Sequence, residues 1–229
     1  MRRSKEMHEM GERVEFPSNN HTTQGYMAGR GPAIVVIQEW WGLVPQIERF
    51  VDRLAKEGFL AIAPDLFHGK TTESPDEAQR LKMELDAERA EREIAGAGEF
   101  LLKRKECTSK KYGVIGFCMG GGLAQFTGAR EANVAATISF YGGFKKAPID
   151  WAHLSGPILL IYGENDKGVP PEQGREIEQK LKQLGKQVEL KVYPGADHAF
   201  LNDTGKNYKK DAAEDAWQKS VELFRRNVR

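Results

Sequence analysis

Cysteine, aspartate and histidine can together build a nucleophilic centre, and this chain carries each of them where an apolar run gives way to a polar or glycine-rich loop. The run Tyr112-Gly113-Val114-Ile115 stops at Gly116-Phe117-Cys118-Met119-Gly120-Gly121-Gly122. This is the G-x-nucleophile-x-G pattern of a strand turning sharply into a helix, with cysteine where serine is usual. Glycines flank the nucleophile because a strained turn that pushes it upward leaves no room for a neighbouring Cβ. A thiol just ahead of a helix also meets free N–H groups and a dipole that favour its thiolate form.

Such a nucleophile needs a base, and the base needs an orienting acid. The run Ile158-Leu159-Leu160-Ile161-Tyr162 ends in Gly163-Glu164-Asn165-Asp166, and Val188–Tyr193 ends in Pro194-Gly195-Ala196-Asp197-His198. The order Cys118, Asp166, His198 is the nucleophile–acid–histidine order of α/β-hydrolases. Glu164 lies in the same acid loop and is the alternative orienter, whereas Asp197 adjoins His198 and points away from its ring. An oxyanion site would take one N–H from Met119, the residue after the nucleophile. A second would come from the loop Gln38-Glu39-Trp40-Trp41-Gly42, where Trp40 is the candidate. Glu39 ends an apolar strand, where a carboxylate is costly without a partner, so a functional partner near Cys118 is expected.

The elements that must position these groups follow from the hydrophobic pattern. Ala33–Ile37, Leu60–Ala63, Val114–Ile115, Ala135–Tyr141, Pro157–Tyr162 and Val188–Tyr193 read as strands, most of them buried on both faces. Arg13–Phe16 and Gln24–Ala28 are two weaker strands about a turn at Ser18-Asn19-Asn20. Helices are expected over Pro45–Glu57, from Ser74-Pro75 to about Lys105 with a break near Gly96 and Gly98, over Gly120–Gly128, Pro171–Leu184 and Lys209–Asn227. Strand and helix alternate without linker or repeat. The expectation is one α/β domain over 1–229, with a mostly parallel sheet of about eight strands covered on both faces and its site at the strands' carboxyl ends.

Composition narrows the function. The 34 Lys and Arg against 33 Asp and Glu leave a formal charge of +1, with no basic stripe for nucleic acid. The 2 cysteines, Cys107 and Cys118, allow no disulfide framework, which suits a reducing, cytoplasmic location. The charged start Met1-Arg2-Arg3-Ser4-Lys5-Glu6 has no apolar stretch behind it, so neither signal peptide nor membrane anchor is expected. No metal-ligand cluster is apparent, and no cofactor is expected. Cys107, His8, His21, His68 and His153 read as incidental surface or loop residues.

Together these segments resemble the dienelactone hydrolase family of α/β-hydrolases. The matching pieces are Gln38-Glu39-Trp40-Trp41-Gly42, Ala63-Pro64-Asp65-Leu66, Gly116–Gly121, Phe140-Tyr141-Gly142-Gly143, Gly163–Asp166 and Tyr193–Phe200. The resemblance implies a Cys118–His198–Asp166 triad acting on activated esters or lactones, with Glu39 taking part in activating the thiol. It also implies substrate contacts from Tyr141 and from Arg80, which aligns with one of the family's carboxylate-binding arginines. A second arginine would stand four residues after the histidine, where this chain has Asn202. The implied partner is a small-molecule substrate, handled by a monomer or small homo-oligomer. A binding module on the same fold, a general carboxylesterase and a thiol redox sensor are the competing classes; the last lacks a C-x-x-C partner for Cys118.

Overall fold

The computed structural model describes residues 11–18, 21–143 and 148–229. His8, the charged start and the Asn19-Asn20 turn lie outside the described residues. Strands β1 (Glu12–Ser18), β2 (His21–Gly29), β3 (Gly31–Ile37), β4 (Leu60–Pro64), β5 (Cys107–Phe117), β6 (Val134–Phe140), β7 (Ile158–Gly163) and β8 (Val188–Tyr193) form one sheet in the order β1-β2-β4-β3-β5-β6-β7-β8. β1 and β2 pair antiparallel, β2 meets β4 antiparallel, and every other pairing is parallel. The mostly parallel α/β architecture read from the alternation is what folds.

Period-two side-chain placement divides the strands between two cores. Ile34 and Val36 of β3, Ile115 and Phe117 of β5, and Leu159 and Ile161 of β7 face helices α1 (Pro45–Lys56) and α6 (Lys210–Asn227). Val35, Ile37, Val114 and Tyr112 face the opposite side, against α2 (Pro75–Glu84), α3 (Ala87–Leu102) and α4 (Met119–Gly128). Beyond them α5 (Pro171–Gln183) packs Leu181 with Leu160, Tyr162 and Trp151. Helices thus cover both faces, and the loops at the strands' carboxyl ends are the part left to face a ligand.

The structure departs from the sequence reading in the long charged helical stretch. Its break falls at Leu85-Asp86, where Asp86 accepts from the N–H groups of Glu88 and Arg89 and caps α3. Gly96 and Gly98 do not interrupt α3; they let it approach the sheet. A Cβ at Gly98 would lie 2.5 Å from the Tyr112 ring. β5 starts at Cys107, well before the apolar Val114, because its polar first half pairs at the sheet's lower edge, Gly31 opposite Cys107. A short 3-10 turn, Trp151–His153, is capped by Asp150 and was not expected. His68 has a partner the sequence did not suggest, Glu93 at 3.2 Å.

At Gly98, a methyl group sets helix propensity against packing. Alanine in a helix interior gains about 0.5–1 kcal/mol over glycine, while overpacking a core costs typically about 1–3 kcal/mol. Gly98→Ala should therefore lower stability by about 1–2 kcal/mol, read as a lower urea midpoint at unchanged m.

Candidate active site

The candidate nucleophile's placement is a backbone problem first. Cys118 links β5 to α4 with φ +54° and ψ −115°, a conformation costly for a residue with a Cβ. The neighbours over-determine it. Its N–H donates to the Phe140 carbonyl at 3.0 Å, and its own carbonyl accepts from Gly121, Gly122 and Gly143 at 3.1, 3.3 and 3.2 Å. The turn closes only because Gly116 is bare: a Cβ there would lie 2.0 Å from the Gly120 carbonyl oxygen.

Asp166 follows β7 and is fully buried. Its Oδ1 accepts from the Gly168 and Val169 N–H groups at 2.9 and 2.8 Å, leaving Oδ2 to face His198 Nδ1 at 2.6 Å. His198, after β8, is tied by its carbonyl to Asn207 Nδ2 at 2.9 Å, and its ring lies on Tyr141 with centroids 4.9 Å apart. Burial opposes charge on the imidazole, but hydrogen bonds to Asp166 and Cys118, with their charges, outweigh it and raise the pKa to about 10. The ring is thereby biased toward its protonated form. Glu164, the alternative orienter, is turned away: its Oε2 accepts from Gly195 N–H at 2.8 Å and braces the two loops from outside. Asp197 is exposed.

Glu39 sits at the end of β3 beside these groups, 3% exposed, with Oε1 lacking a partner among the described residues. Burial pushes its pKa up to about 7, against the pull of charged His198. Of the two oxyanion candidates, Trp40 lines the cleft, whereas Met119 is buried at the first turn of α4. Cys118, His198, Glu39 and Trp40 line a cleft of about 830 Å³, joined by Trp41, Gln79, Lys82, Met83, Val169, Gln173 and Asn207.

Two expected substrate contacts are placed elsewhere. Arg80 lies on the outer face of α2, 54% exposed, bonded to Glu77 and Glu84 one turn on either side. Lys82, Gln79 and Met83 occupy the cleft-facing side of that helix instead. The spacing Glu77–Arg80–Glu84 held the signal, since acids three residues before and four after an arginine share its face. Tyr141 is fully buried beneath His198 and does not line the cleft. Asn202 caps its own loop, accepting from the Thr204 N–H at 3.0 Å, and the amide that reaches the cleft is Asn207.

Comparison with known proteins identifies the family and the fold. A family model described as "Dienelactone hydrolase family" matches residues 21–228. The chain is 37% identical over 227 residues to "Protein usf" of Aquifex pyrophilus, covering 94% of this chain and 98% of that protein. It is 35% identical over 227 residues, with the same coverage, to the "Putative carboxymethylenebutenolidase" of Aquifex aeolicus (strain VF5). The crystal structure named "Putative Dienelactone Hydrolase" from Klebsiella pneumoniae superposes with a TM-score of 0.85 at 25% identity, over 94% of this chain and 98% of that one. The dienelactone hydrolase of Anabaena variabilis shares the fold, with a TM-score of 0.68 at 22% identity over 96% of this chain and 100% of its own.

The buried carboxyl makes stability depend on pH. Folded Glu39 ionises at about 7, against 4.5 for an ordinary glutamate, so its contribution is full below 4.5 and is lost as pH rises to about 7. The loss is on the order of 3 kcal/mol. Glu39→Gln removes this dependence, so its advantage over wild type in urea unfolding should be larger at pH 8 than at pH 5 by about 2–3 kcal/mol.

Proposed function

Since the chain belongs to the dienelactone hydrolase family, we propose that it hydrolyses activated esters and lactones, of the enol-lactone or aryl-ester type, through Cys118, His198 and Asp166. The observation that carries this reading is the 2.6 Å contact between Asp166 and His198, beside the strained Cys118 in an open cleft. Asp166 fixes the ring's tautomer, with Nδ1 toward the acid and Nε2 toward the sulfur.

In the first half-reaction the thiolate attacks the carbonyl carbon, and the oxyanion is held by the Trp40 and Met119 N–H groups. Collapse breaks the carbon–oxygen bond, and the departing enolate or phenolate takes its proton from the His198 imidazolium. The acyl group is left as a thioester on Cys118. Neutral His198 then draws a proton from water, hydroxide adds to the thioester, and the carbon–sulfur bond breaks to release the acid and restore the thiolate–imidazolium pair. Thiolate is itself a good leaving group, so an alkoxide would lose the competition and substrate would re-form. Enol lactones and aryl esters, whose oxygens leave as weak bases, go forward.

Replacing Cys118 or His198 by alanine should each cut turnover of an aryl ester by more than about 10³-fold, and the double variant should lose little more. Independent, multiplicative losses in steady-state kinetics would argue against one catalytic unit.

Charge in the cleft bears on substrate choice. The ammonium of Lys82 has no ion pair among the described residues and stands 6.0 Å from the centre of the Trp40 ring. It is the cation an anionic substrate would meet, the place Arg80 was expected to fill. Lys82→Met should lower kcat/KM for a carboxylated aryl ester about tenfold more than for a neutral ester of similar size, the scale of one charge-assisted hydrogen bond. Arg80→Ala should leave that ratio unchanged.

A further inference from the structure

Two buried polar atoms near the nucleophile lack partners among the described residues, and their chemistry is complementary. One is the Tyr141 hydroxyl, a donor; the other is Glu39 Oε1, an acceptor. The sheet brings them to one level. Ile37 pairs with Gly116, and Gly116 with Ser139, so Glu39, Cys118 and Tyr141 each lie two residues beyond a common rung. Cys118 is in the middle, because β5 runs between β3 and β6. Two strand spacings separate the outer backbones by about 10 Å, a gap that a glutamate and a tyrosine can close from opposite sides.

The backbone at Tyr141 is built for this place rather than for comfort. Its φ is +38°, unusual for a bulky side chain, and its N–H is fixed to the Ile161 carbonyl at 2.6 Å. The ring is wedged among His198, Phe140 and Phe200. Burial, reinforced by the charges of Glu39, Cys118 and Asp166, holds the phenol well above its ordinary pKa, so it stays a donor across the working range. Leaving such a donor unmet in the interior costs free energy. The substrate cannot meet it, because Tyr141 does not line the cleft.

We infer that Tyr141 is a positioning residue for the site's second carboxylate: its ring supports His198, and its hydroxyl donates to Glu39 Oε1 when that carboxyl is ionised. The hydrogen bond favours charged Glu39 and so helps set the pH at which the charge appears. The other groups facing this pair are the His198 ring from the β8 loop, Cys118 from the elbow, Asp166 from the β7 loop and Lys82 from α2 across the cleft. His198 acts with the tyrosine on Glu39, while Cys118 and Asp166 join Glu39 in keeping the phenol protonated. Its effect on turnover rests on the hydrolase reading, whereas its effect on the ionisation of Glu39 does not.

The test compares wild type, Tyr141→Phe, Glu39→Gln and the double variant by urea unfolding from pH 5 to 9, with kcat/KM for an aryl ester over the same range. Phenylalanine keeps the ring on His198 and removes only the hydroxyl, so the fold is retained. In Tyr141→Phe the folded pKa of Glu39 should rise by about one unit, so the midpoint of the pH-dependent loss of stability should move up by about half a pH unit. The ionisation limb near neutrality in kcat/KM should move with it. In the Glu39→Gln background, Tyr141→Phe should leave the pH dependence of stability unaltered. An unmoved midpoint, or an equal shift with and without Glu39, overturns the inference. A shifted midpoint in a protein with no esterase activity would uphold it and sink the hydrolase reading; activity with an unmoved midpoint would do the reverse.

Discussion

The positive φ at Cys118 is the constraint on which the rest of the site depends. A side chain at that angle is unfavourable alone, and it persists because four backbone hydrogen bonds from three segments hold both of its peptide groups. Those bonds reach Phe140 at the end of β6, Gly143 in the loop after it and the first turn of α4. The strand, its neighbour and the helix are therefore joined through Cys118 itself. The bare Gly116–Gly120 contact makes this closure possible, and the sulfur is delivered to the cleft with little freedom to move.

Around that fixed point the site separates two carboxylates by environment. Asp166 is buried yet has three hydrogen bonds, two from backbone N–H groups and one from His198, so its charge is matched. Glu39 is buried with far less support and is driven toward its neutral form. One acid is thus held by three donors against the imidazole; burial drives the other toward its neutral form. Two acids of like chemistry come to different tasks through their hydrogen-bond donors alone.

The elements with strong apolar periodicity were legible in the chain because buried parallel strands leave little freedom in composition. The elbow, the acid loop and the histidine loop were legible for a related reason: glycine and polar residues break those runs at defined places. What the sequence hid depended on partners distant along the chain. Gly98 looks like a helix breaker until Tyr112, on another element, explains why a side chain is missing. The polar first half of β5 reads as a loop because its pairing is with Gly31 and its burial is slight. Arg80 was misplaced because alignment gives a position along a helix and not the face; Glu77 and Glu84 decide the face. Lys82 and Asn207 carry no motif, and only the cleft's shape identifies them.

The site's parts come from loops after β3, β5, β6, β7 and β8, spread over most of the chain and adjacent only through the finished sheet. Contacts of such high sequence separation form late, since each must first overcome the entropy of closing a long loop. No single stretch of the chain holds enough of the machinery to work by itself. Catalytic competence in this architecture is therefore an all-or-none report of completed folding: a population that has lost one strand pairing would look largely structured by spectroscopy and be silent by chemistry.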